Sequence, residues 1–179
     1  MTRPPRPAPP RRSRRTALLP VLLALSGGPL VFACSAAGSG PTAPGAPSAA
    51  QVEAASFQLL NQARQTAGVR LLALDPALSA IARAHSEAMR DRVFFDHRDP
   101  ATGKTFTDRL RDGGQTFRTA GENLAMVANA GDPAGFAHDE LFASPEHRAD
   151  MLNPSFGRVG VGVARSGNSY WITQLFVGD

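Results

Sequence analysis

From Gln51 onward the apolar positions recur at helical spacing. Val52, Ala55, Leu59, Leu60 and Ala63 share one face of a predicted helix over 51–67, and Gly68 stops it. Leu71, Leu72 and Leu74 lead to Asp75-Pro76, an N-cap followed by proline at the first helical position. The next helix runs to Arg92, with Leu78, Ile81, Ala82, His85, Met89 and Val93 as its inward stripe. Residues 94–114 read as loop, broken by a short helix over Thr107–Arg111. Ala120–Ala128 reads as a strand entered from a glycine turn, and Pro133–Phe142 as a helix. Ser144-Pro145 starts one more short helix that Asn153-Pro154 ends. The pattern then changes from period 3.6 to period 2. Val159, Val161 and Val163 alternate with Gly160 and Gly162, residues 166–169 form a turn, and Tyr170–Val177 continues the pleat. The two glycines leave room for another element to pack closely on that face. Helices first and strands last give the class α+β with an antiparallel sheet.

The first fifty residues are patterned differently. Residues 1–15 are basic and proline-rich, and 16–33 are uncharged and mostly apolar, which is the order of a secretory signal. Pro20, Gly27, Gly28 and Pro29 interrupt the apolar run and make it a poor membrane span. It ends in Val31-Phe32-Ala33-Cys34, which resembles a bacterial lipobox, so Cys34 is the candidate lipidation site; the alternative is plain secretion. Residues 35–50 are small residues with Pro and Gly, the composition of a tether. The expected organisation is a signal peptide over 1–33, a lipidated tether over 34–50, and one folded domain over 51–179.

Charge changes the picture only when it is located. The chain has 179 residues and a formal net charge of +4. Six arginines lie before residue 16, whereas the chain after Cys34 carries thirteen basic and fifteen acidic residues, a net of −2. Such a domain has no electrostatic reason to bind nucleic acid. A single cysteine excludes an internal disulfide and a zinc site built on several thiolates.

The candidate chemistry lies in three separate segments. His85, on an apolar stripe, is expected to be a core histidine satisfied by one hydrogen bond. His138, beside Asp139 and Glu140, is expected on the surface. His97 sits where a helix gives way to a polar loop. His147 is at the third position of the Ser144-Pro145 helix, where the helix dipole favours a neutral imidazole able to bind a metal. Glu122 is an acid at the mouth of a strand. Two histidines and a carboxylate make a partial coordination set for zinc or another divalent cation, with a position open for water. Asn61 is expected to satisfy backbone groups, Arg64 to pair with an acid, and Trp171 to be core.

Seven segments in order carry a family resemblance. They are Leu60-Asn61-Gln62-Ala63-Arg64; Leu74-Asp75-Pro76-Ala77-Leu78 with Ala82-Arg83-Ala84-His85; Asp96-His97; Gly121-Glu122-Asn123-Leu124-Ala125; Ser144-Pro145-Glu146-His147-Arg148; Gly160-Val161-Gly162-Val163; and Tyr170–Phe176. From about residue 54 to 177 the chain resembles the CAP superfamily of cysteine-rich secretory, antigen 5 and pathogenesis-related proteins, in its short bacterial form. The resemblance implies an α-β-α sandwich, a small antiparallel sheet between helices, with a cleft lined by two histidines and two acids. The histidines map to His97 and His147 and the first acid to Glu122; the second falls at Ser144. Asn123 and Ser144 are then expected to line the cleft.

Three functions compete. The first is an envelope-held module, expected to be monomeric, that binds a small molecule, a lipid or a cell-wall fragment. The second is a zinc-assisted hydrolase of envelope peptides or peptidoglycan, with Glu122 as catalytic base. The third is a non-catalytic structural or adhesive envelope protein.

Overall fold

Ser48 opens the first helix. Its hydroxyl accepts from the Gln51 N–H, and the Gln51 side chain accepts in return from the Ser48 N–H, a reciprocal capping box. The computed structural model describes residues 45–179, so the expected signal segment, Cys34 and most of the expected tether lie outside the described residues. Residues 46–50 belong to the domain: Tyr170 donates to the Pro47 carbonyl at 2.7 Å, and helix α1 spans Ala49–Thr66.

Asp75 caps α2 (Pro76–Asp91), accepting from the N–H groups of Ala77 and Leu78. Thr105 caps α3 (Phe106–Asp112). Asp132 caps α4 (Pro133–Ala143), and α5 covers Pro145–Leu152. The strands are β1 (Ala73–Leu74), β2 (Thr119–Ala128), β3 (Arg158–Ser166) and β4 (Ser169–Gly178). They form one sheet in the order β1-β3-β4-β2. The expected antiparallel sheet is present, with the two-residue β1 added parallel to β3 at one edge. β2 forms the other edge.

The sheet is covered on both faces. Val159, Val161 and Val163 of β3, with Ala125 and Val127 of β2, pack against α1 and α4. Leu175 and Val177 of β4 pack against Leu78 and Ala82 of α2 and Leu110 of α3. Gly160 and Gly162 allow α2 to lie directly on β3: a Cβ at Gly160 would be 2.2 Å from the Leu78 backbone, and one at Gly162 would be 2.0 Å from the Arg83 nitrogen. The close approach expected from the glycines is thus made by a helix of the same chain.

Four expectations need correction. Val93 is not part of the α2 stripe but 89% exposed. α2 ends at Asp91, the Phe94 N–H bonds back to the Met89 carbonyl, and Val93 takes φ +55°, so the chain reverses before Val93 can face inward. Arg64 meets no acid. It is fully buried, and its guanidinium donates to the carbonyls of Arg70 (2.7 Å), Met151 (2.7 Å) and Asn153 (3.1 Å). It thereby ties the end of α5 to α1. Trp171 is half-buried, because the β-strand phase gives the core position to its neighbour Tyr170. His138 is half-buried rather than free on the surface, stacked on Phe142 one turn on and facing α1. Asn61 and His85 sit as expected. Asn61 exchanges both amide hydrogen bonds with the Leu72 backbone, and His85 is buried with one bond, at 3.0 Å to the Asp96 carbonyl.

Candidate functional site

The site is built where the edge strand β2 meets the two helical layers. Along β2 the side chains alternate, Ala125 and Val127 facing α1 and α4. Glu122, on the other phase, meets the loop after α2 and the helix α3. Its side chain is completely buried, and both carboxylate oxygens are engaged. Oε1 is 2.9 Å from His97 Nδ1, and Oε2 accepts from Arg109 Nη2 at 2.5 Å. Arg109 also donates to the carbonyls of His97 (3.0 Å) and Lys104 (3.2 Å), so one guanidinium fixes both the acid and the loop. Asp99 orders the rest of that loop, accepting from the Ala101 and Thr102 N–H groups and from Arg92.

His97 is half-exposed, and its Nε2 has no hydrogen-bond partner among the described residues. The hydrogen bond that His97 Nδ1 donates to Glu122 holds the His97 pKa above the usual histidine range, against the opposing effect of partial burial. Glu122 therefore orients the His97 ring and leaves Nε2 outward.

From the other layer, α5 brings His147. Asn123, fully buried on β2, donates to the His147 carbonyl at 3.1 Å and to Gln174 Oε1 at 3.4 Å, while its own Oδ1 is buried without a partner. Ser144 occupies the N-cap position of α5 but makes no side-chain capping bond, which leaves its hydroxyl for the cleft. Asp150, one turn beyond His147, packs its carboxylate against Gly121, where a Cβ would be 3.0 Å from it. Burial raises the Asp150 pKa, and the nearby His147 and His97 pull it down. Asp150 is thus within electrostatic reach of both histidines.

A groove of about 360 Å³ opens beside this cluster. Four consecutive β2 residues, Leu124 to Val127, form its floor. Phe95, from the loop that carries His97, makes one wall; Phe136, Ala137 and Leu141 of α4 make the other. Ser144, His147 and Glu140 supply its polar groups. Phe95, Met126 and Phe136 are each about half exposed, a concentration of apolar surface at one place.

The expected residues Glu122, Asn123, Ser144, His97 and His147 all lie at this one end of the sheet. Arg109, Asp150 and the apolar wall were missed. Arg109 and Asp150 had no spacing signal, since both reach the site by tertiary packing of short helices. Phe94-Phe95 before a polar loop was the one visible hint of an exposed apolar surface.

The donor set does not fit a divalent ion as the side chains stand. Among the described residues, no group of three or more His, Cys, Asp and Glu side chains is placed to hold a metal. The Glu122 carboxylate is completely buried with both oxygens engaged, and the fixed charge of Arg109 sits against the oxygen a cation would need.

Residues 57–176 match the family model described as CAP, the cysteine-rich secretory protein family. The uncharacterized protein YkwD of Bacillus subtilis is 40% identical over 121 residues, covering 68% of this chain and 45% of that protein. The crystal structure of an extracellular protein containing an SCP domain from Bacillus anthracis is 32% identical with a TM-score of 0.66, covering 77% of this chain and 45% of that one. An outer surface protein of Borrelia burgdorferi shares the fold at 16% identity and a TM-score of 0.66, over 74% of this chain and 96% of that one. The chain spans less than half the length of these Bacillus proteins. Sandwich layering, the Glu122–His97 pair on the edge strand and a family match over two thirds of the sequence agree, and the chain belongs to the CAP family.

Proposed function

We propose that this protein is an extracytoplasmic binding module that takes a small molecule, a lipid or a cell-wall fragment into the groove beside β2. The groove is the observation that carries this reading. It has the size of a small-ligand site, apolar walls and a few polar groups at one end. The basic and apolar leader before Cys34 supports delivery outside the cytoplasm, and the extracellular and outer-surface relatives support the same address. Among the described residues no helix is long and apolar enough to cross a membrane. In this reading Cys34 carries the anchor.

Binding is favoured over hydrolysis by the state of Glu122. A general base needs an oxygen that water can reach, and this carboxylate is completely buried with its oxygens bonded to His97 and Arg109. Glu122 instead orders, through His97, the loop that carries Phe95 to the groove wall.

A panel of a fluorescent C16 fatty acid, muramyl dipeptide and a short synthetic peptide, titrated against the full chain and Met126→Asp, tests the reading. At least one probe binds the wild type, and Met126→Asp weakens it by about tenfold or more, since the half-exposed Met126 lines the groove. Absence of binding by every probe, or equal binding to the variant, refutes it.

A further inference from the structure

We propose that the groove takes an extended peptide bearing a basic side chain, which adds to the sheet as a fifth strand along the free edge of β2. The inference rests on the groove-binding reading above and names the class of ligand.

The backbone of β2 carries it. The Asn129 N–H donates to the Asn168 carbonyl at 3.0 Å, which sets the phase of the β2–β4 ladder. With Val127 opposite Tyr170 and Ala125 opposite Ile172, the odd-numbered residues exchange hydrogen bonds with β4. Leu124 and Met126 then direct their N–H and C=O groups away from the sheet. Among the described residues no strand lies on that side and no group takes these four up. They open onto the groove, whose floor is Leu124 to Val127. An acyl chain in the same place would cover four polar backbone groups and satisfy none of them. An extended peptide satisfies all four, by pairing one residue with Leu124 and the next but one with Met126.

Charge selects the peptide. Glu140, from α4, is the one acidic side chain lining the groove, and its carboxylate is in no ion pair among the described residues. A strand seated on β2 therefore gains by presenting a lysine, arginine or other amine to the α4 wall. The apolar faces of Phe95 and Phe136 cover its remaining side chains.

The test uses the full chain and a synthetic hexapeptide of alternating valine and threonine with one central lysine. Two further versions are N-methylated at alternate residues, one in each phase. An added strand turns only one set of N–H groups toward β2. One methylated version should therefore bind at least about tenfold more weakly while the other binds like the parent, and the Leu124 and Met126 amides should gain exchange protection with the parent peptide. Glu140→Gln should weaken the lysine peptide several-fold and leave a lysine-free version unchanged. Equal binding by both methylated versions overturns the proposal. So does binding of the C16 fatty acid with no binding of any peptide, although groove binding itself then survives. If neither binds, both readings fall. Concentration-dependent dimers that protect Leu124 and Met126 without peptide would show a second copy on the edge and also overturn it.

Discussion

Replacing Glu122 by Gln removes one buried negative charge from between two cations while keeping the side-chain shape. The Arg109 bond is nearly enclosed, and a charge-assisted bond of that kind is worth about 1.5–3 kcal/mol. The His97 bond joins a half-exposed ring, so solvent screening reduces it to about 0.5–1 kcal/mol. Glutamine can still accept from one partner, but its amide then opposes a donor on the other. The expected loss in acid is about 2–4 kcal/mol, or roughly 8–15 °C in Tm for a domain of this size. The pH dependence is the sharper part. Glu122 raises the His97 pKa, so its contribution is complete below the ordinary histidine value and is lost as pH rises through the raised one. The gap between wild type and variant should be larger at pH 5.5 than at pH 8. Thermal unfolding at the two pH values, with imidazole NMR titration of His97, measures both parts. A gap below about 1 kcal/mol, or one indifferent to pH, or a His97 that titrates alike in both proteins, would refute the account.

Six other substitutions probe different links. Arg64→Met leaves the carbonyls of Arg70, Met151 and Asn153 without their donor, and chemical denaturation should show a loss of about 3–5 kcal/mol; a neutral result would mean that waters replace the guanidinium. Gly162→Ala drives a methyl into the α2 backbone and should cost at least about 3 kcal/mol or abolish soluble expression, whereas Gly167→Ala, at an open turn with positive φ, should cost only about 1 kcal/mol. Val93→Gly should stabilise by about 0.5–1 kcal/mol, because a β-branched residue at φ +55° is strained and nothing covers its side chain; a lower Tm in the variant contradicts that. Zinc titration by calorimetry should show weak binding to the wild type and at least about tenfold tighter binding to Arg109→Ala, which frees an oxygen of Glu122; tight binding to the wild type that disappears in His97→Ala would restore the metal centre.

The local elements were legible because each has a local cause. Asp75-Pro76 starts α2 by capping and fixed φ, Asn153-Pro154 ends α5, and the Val-Gly alternation of β3 is the pleat itself. Gly160 and Gly162 even announced a close neighbour, although only packing identified it as α2. His97, His147 and Glu122 were likewise picked from residue type and resemblance. Their states were not, since a carboxylate's chemistry depends on what surrounds it. Arg109, thirteen residues before Glu122, turns that acid from a free ligand into one arm of an ion pair, and no periodicity encodes such a contact. Arg64 was misread for the same reason: a guanidinium can be satisfied by backbone carbonyls that only the docking of α5 against α1 supplies. The groove belongs wholly to tertiary structure. Its apolar side chains come from a loop, a strand and a helix, and its unpaired floor exists because β2, fifth of the nine elements among the described residues, is placed at the edge of the sheet. Sequence fixes what can be settled among neighbours a few residues apart; the order of strands and the partners of buried charges are decided by contacts between segments far apart along the chain.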